Sequence, residues 1–120
     1  MHDLPKTIFI DIDGTILKHL GTLQNMMWSK KAIATQGAVE KMNYWYNIGY
    51  RIIITTARPE SMRIITEKQL YQCGIVYHTL IMSLPVGPRV VINDKKPQKD
   101  EDMAISINLT RDEGLEHIEI

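Results

Sequence analysis

Two carboxylates one residue apart, Asp11 and Asp13, leave a hydrophobic run in the string IFIDIDGT. Like charges held this close are costly without a cation between them. A hard divalent ion such as Mg²⁺, which takes oxygen ligands and keeps several waters, relieves that cost. The same letters also make an ordinary Asp-Gly turn with two solvated acids. A second group follows at Thr55, Thr56, Ala57, Arg58 and Pro59. A hydroxyl and a guanidinium beside a helix amino terminus form a seat for phosphate, because free amides, dipole and charge all favour an anion. Threonines there serve equally as helix caps. The third group is Asn93, Asp94, Lys95, Lys96 and Pro97. Asp94 offers a further metal ligand and a lysine offers a counter-charge for phosphate, although taken alone the string is common loop chemistry.

The elements around these groups place each at the exit of a strand. Thr7–Ile12 is β-branched or aromatic except at Asp11, which predicts a buried strand ending at the turn residue Gly14. Ala38, Val39, Met42, Trp45 and Tyr46 form the stripe of an amphipathic helix over 37–48 that stops at Gly49. Arg51–Thr55 predicts a second strand. Pro59 and Glu60 suit the first turn of a second helix, which runs to about Cys73 and closes at Gly74. Further strands are expected at 76–82, 89–93 and 104–108. This alternation predicts an α/β fold with a doubly wound, mostly parallel sheet, which binds ligands at the carboxyl ends of its strands. Residues 16–36 have no clear periodicity and read as a flap beside the acids.

The chain has 120 residues, enough for one domain and too few for a separate cap domain. Apolar residues make up 44% and charged residues 23%, the composition of a folded protein rather than a disordered one. Fourteen basic and fourteen acidic side chains cancel, so the electrostatic footprint of a nucleic-acid or anionic-membrane binder is missing and a small partner is expected. Cys73 is the only cysteine, which excludes an internal disulfide and fits a reducing compartment. With neither a signal peptide nor a long apolar span in view, a cytoplasmic location is expected.

Taken in order, IFIDIDGT, IIITTARP and VINDKKP resemble three motifs of the haloacid dehalogenase (HAD) superfamily over residues 7–97. Within it the chain looks like the small capless phosphatases. The resemblance implies a Mg²⁺-dependent phosphatase that hydrolyses a phosphate monoester, a sugar phosphate or a nucleotide, through an aspartyl-phosphate. Asp11 would be the nucleophile and Asp13 the general acid and base. Thr56, rather than Thr55, would hold the transferring phosphoryl group. Asp11, the backbone carbonyl of Asp13, and Asp94 would bind the metal. Ile12, Gly14, Thr15, Ala57, Arg58, Arg89 and Lys96 would line the phosphate. A carboxylate nucleophile needs such charge screening and a nearby proton donor.

The lysine that the superfamily supplies before its last acidic strand is missing, since residues 79–93 contain no lysine and only Arg89 as a cation. Lys95 is the first substitute, followed by Lys96 or Arg89. The six residues from Ser83 to Pro88 are also too few for a parallel crossover, which needs at least about 10–12. These departures keep a second reading in play, a weak or inactive member acting as a binding or assembly module. A phosphoacceptor receiver fits less well, because residues 79–84 offer no aspartate. Met26, Met27 and Trp28 mark either a substrate lip or side chains packed against the core or a second subunit, and in the last case a homo-oligomer would cover the open site. His2, His19, His78 and His117 lack zinc-ligand spacing, though His19 lies near the acids, and Cys73 falls on an apolar stripe.

Overall fold

β-branched residues on both faces of short runs favour a sheet enclosed by crossovers. In the computed structural model, which describes residues 4–22, 31–98 and 100–120, three such runs pair. They are β1 (Thr7–Ile10), β2 (Arg51–Thr55) and β3 (Thr79–Ile81), with helix α1 (Ala38–Asn47) between the first two. A 3-10 turn at Glu60–Met62 leads into helix α2 (Arg63–Cys73) between the last two. The sheet is parallel in the order β1-β2-β3, with Ile10 beside Ile54 and Ile54 beside Leu80. This is a small, Rossmann-like α/β fold, with no cap domain among the described residues.

The register sorts the side chains by face. Ile10, Ile52, Ile54 and Leu80 point one way and are buried against Met42 and Trp45 of α1, Met62, and Leu70 of α2. Each such side chain contributes about 1.5–3 kcal/mol by leaving water. The opposite face carries Phe9 beside Ile53 and Thr79, and Thr55 beside Ile81. Phe9 is 57% exposed and Ile81 39%. Both crossovers join strands that are neighbours in chain order, and the right-handed rule for such units puts both helices on one side, which accounts for the difference.

The two helices and β2 form where the sequence predicts them, with Gly74 closing α2 in the left-handed region at φ 77°. Pro59 precedes the 3-10 turn rather than opening the α-helix. The strand expected at 76–82 shrinks to three residues, because the Ile52 N–H that would extend the ladder is taken by the side chain of His78. Its backbone N–H donates to the Ile52 carbonyl, its Nδ1 accepts from the Ile52 N–H, and its ring stacks on Tyr46 at 4.6 Å. The strands expected at 89–93 and 104–108 do not form. No backbone hydrogen bond joins these residues to the sheet, and Val90, Val91, Ile92, Ile105 and Ile107 are exposed. The short link from Met82 to Arg89 leaves no helix to carry the chain back beside the sheet.

The base of the 16–36 segment is core rather than flap. Ile16 and Leu17 are buried, and the N–H groups of Lys18 and Thr35 donate to Ile33 and Ile16 across a bridge between Leu17 and Ala34. Met26, Met27 and Trp28 lie outside the described residues. Cys73 is half-buried, its thiol donating to the Ala32 carbonyl, and burial raises its pKa, which keeps it a thiol.

Candidate active site

The turn after β1 is wound around one carbonyl. Ile12 O accepts the N–H groups of Thr15, Ile16 and Leu17 at 3.0, 3.0 and 3.1 Å, and the N–H of Gly14 closes onto Leu17 O at 2.7 Å. Gly14 holds φ 88°, a conformation that a side chain resists. This winding places Asp11 at the carboxyl end of β1 with Asp13 beside it.

Asp11 reaches the surface, yet its carboxyl titrates above the ordinary 3.8. The largest cause is the water excluded by its surroundings, and the charge of Asp13 adds to it. A hydrogen bond from the Ile12 N–H, the charge of Arg89 and the Thr15 hydroxyl all pull the other way. Ile12 and Thr15 therefore serve Asp11 in this state, and the Ile12 side chain is wholly buried.

Asp13 faces Arg58. The guanidinium Nε donates to Asp13 Oδ2 at 2.9 Å and Nη2 to Oδ1 at 2.8 Å, while Nη1 donates to Thr66 Oγ1 and Gln69 Oε1. The Arg58 side chain is only 2% exposed. Its expected place in the phosphate seat is thus taken by a structural ion pair. A neutral threonine and glutamine line its other side because a buried guanidinium needs acceptors for every N–H.

The strand-two exit is tied as well. Thr56 is buried and its hydroxyl oxygen accepts the Arg58 N–H at 3.0 Å, which leaves its own proton free to donate. Its backbone N–H donates to Ile81 O and its carbonyl accepts the Leu84 N–H, which ties the exits of β2 and β3 together. Ala57 stands exposed beside it. The Glu60 N–H, which opens the 3-10 turn, donates to the Ser83 hydroxyl at 2.7 Å.

The third motif is scattered. Asp94 is exposed on the 89–96 segment, and among the described residues no three His, Cys, Asp or Glu side chains come together to hold a metal, so Asp94 does not join the two acids. Lys95 pairs with Asp100 at 3.0 Å and Asp102 at 3.5 Å on its own loop. Lys96 is exposed on the same loop. Arg89 donates to the carbonyls of Pro85 and Gly87, and its charge is the cationic one that acts on Asp11.

The carboxyl-terminal segment also reaches the site, and no sequence reading singled it out. The aliphatic stem of Arg111 packs on Gly14, the Asp112 N–H donates to Gly14 O at 2.9 Å, and Asp112 Oδ1 accepts the His19 N–H at 2.7 Å. The string RDEG has turn character, with Asp112 at φ 67°, and that was its only signal.

Residues 8–107 match the family model described as PITM 1-3, LNS2 domain. The chain belongs to the LNS2 domain family. This corrects the likeness to small capless HAD phosphatases, because the matched residues take in all three motifs and the family they match is LNS2. The HAD-like, phosphatase-type fold fits the LNS2 family, so the architecture implied by the motifs stands while the assignment within it changes. No curated protein matches this LNS2 chain. A solved structure, that of the Pnkp1/Rnl/Hen1 RNA repair complex, matches with a TM-score of 0.58 and 22% identity over 81% of this chain. The LNS2 chain spans 28% of the length of that neighbour, and the likeness is one of fold. Among the described residues no helix is long and apolar enough to cross a membrane.

Proposed function

We propose that this LNS2 domain is a hydrolase of phosphate monoesters with Asp11 as nucleophile. The observation that supports this most is the position of Asp11, a solvent-reached carboxylate at the carboxyl end of β1, oriented by the Ile12 N–H and the Thr15 hydroxyl and facing the charge of Arg89. An Asp11 oxygen attacks phosphorus while the ester oxygen leaves with a proton from Asp13. Water then attacks the aspartyl-phosphate, gives its proton to Asp13 and releases phosphate, restoring Asp11. Thr56 keeps a hydroxyl proton for the transferring oxygens, and Arg89 supplies positive charge as the phosphate arrives.

The donor set suits Mg²⁺, which needs only one or two carboxylates beside water and phosphate oxygens. The crowded, partly dehydrated Asp11 is a carboxylate that a cation would stabilise. Asp11 and the Asp13 carbonyl would hold the ion, whose chemistry is to screen charge between nucleophile and phosphate. The ion pair of Asp13 favours a second reading. With both oxygens facing Arg58, Asp13 offers a proton only from its outer lone pairs, as suits a module that binds a phosphorylated ligand and turns it over slowly or not at all.

The test is hydrolysis of an aryl phosphate and a panel of sugar phosphates and nucleotides, with Mg²⁺ or with chelator, by the wild type and by Asp11→Asn. Turnover that needs Mg²⁺ and disappears in the variant supports hydrolysis. Equal rates in the two proteins, with binding of inorganic phosphate retained, support the binding module.

A further inference from the structure

Thr15 stands between the scaffold and the proposed nucleophile. Its backbone N–H donates to Ile12 O at 3.0 Å, and its carbonyl accepts the Thr35 hydroxyl at 2.6 Å. The third polar group of the residue, its own hydroxyl, bonds the Asp11 carboxylate. The Thr35 contact joins residues 20 apart in sequence, across the two ends of the 16–36 segment. Thr15 therefore has its backbone held on one side and the reacting group on the other.

Thr35 itself is only 3% exposed, and a buried hydroxyl must find a partner. A threonine this close before a helix ordinarily turns its oxygen toward the first free N–H groups as a cap. Here the residue at the cap of α1 is Gly37, at φ 77° and with no side-chain bond to the helix. The Thr35 hydroxyl is thus released from the helix and donated to Thr15 O, at the short end of the range for O–H···O bonds. The backbone of Thr35 is tied as well. Its N–H donates to Ile16 O at 2.9 Å and its carbonyl accepts the Ala38 N–H at 3.1 Å. Three bonds anchor this donor at the junction between the segment after the DxD turn and α1, so the carbonyl it faces is held by a fixed point.

We infer that Thr35 is a positioning residue for the nucleophile: its hydroxyl holds the Thr15 carbonyl, and through it the Thr15 backbone, in the one setting that keeps the Thr15 hydroxyl on Asp11. The Thr15 side chain leaves the backbone through a single rotatable bond, and the rotamer it adopts depends on the backbone angles beneath it. Releasing the carbonyl therefore releases the hydroxyl. Thr35 touches neither the carboxylate nor the phosphate, and it acts through Thr15. The inference rests on the reading of Asp11 as the attacking group, since orientation matters only for a group that reacts. Misplacing reacting atoms by about 1 Å can cost on the order of 10²-fold in rate.

The experiment reads the side-chain rotamer of Thr15 from three-bond NMR couplings to its methyl carbon, together with kcat and KM for an aryl phosphate with Mg²⁺. It compares the wild type with Thr35→Val, which keeps the shape and removes the hydroxyl, and with Thr35→Ser, which keeps the hydroxyl. Thr15 should hold one rotamer in the wild type and in Thr35→Ser and mix rotamers in Thr35→Val. The valine variant should lose about tenfold in kcat with KM changed less than about twofold, and serine should restore the rate. In a Thr15→Val background, Thr35→Val should lower kcat no further. Ile75→Val, which trims a buried side chain just after α2, should leave rotamer and rate unchanged. Thr35→Cys, a weak donor, takes the place of the valine variant if that protein does not fold. A Thr15 side chain that keeps one rotamer without the Thr35 hydroxyl overturns the inference. A rate loss that Thr35→Ser shares, or that persists in the Thr15→Val background, overturns it too. A wild type without turnover sinks the hydrolase reading separately, and the couplings then decide for or against the hold of Thr35 on Thr15.

Discussion

Arg58 grips both carboxylate oxygens of Asp13, at 2.9 and 2.8 Å, from inside the core. One acid of the DxD pair is thereby part of the scaffold, while the other faces solvent. The pair joins the exit of β1 to the exit of β2 and to α2 through Thr66 and Gln69. Division of labour between two neighbouring carboxylates needs this kind of difference in surroundings.

Removing the guanidinium should therefore cost folding more than any surface ion pair would. Arg58→Ala strips the part-buried Asp13 carboxylate of its guanidinium and removes the donor that Thr66 and Gln69 share, and a loss of about 3–5 kcal/mol is expected. That is a large share of the roughly 5–15 kcal/mol of a small domain. Arg58→Lys keeps the charge but not the two-pronged geometry, so it should fall between Ala and wild type. Urea unfolding of the three proteins measures the order.

Asp11 should show the opposite balance, activity held at the expense of stability. Its pKa is raised by folding, chiefly through lost hydration. Between the ordinary 3.8 and the raised value the folded chain binds more protons than the unfolded one, so stability falls as pH rises through that window and stays lower above it. Asp11→Asn escapes this loss. Its melting temperature should exceed that of the wild type at neutral pH, and the gap should close as pH falls toward and below the ordinary value, where both forms of Asp11 are protonated. Thermal melts of the two proteins at several pH values test this, and hydrolysis should vanish in the variant.

The half of the fold whose contacts are local was legible in the sequence. Met42 and Trp45 on one stripe, Gly74 at a helix end and the isoleucines of RIIIT each carry their structural role in their spacing. So does the placement of Asp11 at a strand exit. The strings RVVIN and AISIN mislead, because the pattern records a preference for extended backbone and not the availability of a neighbour to pair with. Arg58 mislead in a different way. A cation beside a helix start fits a phosphate or a buried carboxylate equally well, and only the distances to Asp13 decide. The docking of 110–116 rests on contacts more than 70 residues apart, such as Leu115 N–H to Gln36 O at 2.8 Å, which leave no local pattern.

That docking gives a paired test at two glycines. Gly114 lies at φ 87°, and a Cβ there would run into the backbone of Gln36. Gly49 lies at φ 94° with nothing within 4 Å. Gly49→Ala should thus cost only backbone strain, about 1–2 kcal/mol. Gly114→Ala adds a collision and should cost about 2–5 kcal/mol. It should also release Leu115 from the core, which hydrogen exchange at residues 110–116 would register.

The cation that serves the phosphate can be separated from the one that resemblance favours. Lys95 is 57% exposed and shared by two acids of its own loop, so Lys95→Gln should change kcat/KM by less than about threefold, in line with the small worth of exposed ion pairs. Arg89 acts on Asp11 across the site and keeps donors beyond the one nitrogen bound to Pro85 and Gly87. Arg89→Gln should lower kcat/KM by about 10²-fold, the scale on which single charge-stabilising donors contribute to catalysis. Since Arg89 also lowers the Asp11 pKa, its removal should move the acidic limb of the rate profile to higher pH. An unshifted limb together with a large loss in Lys95→Gln would give the role back to Lys95.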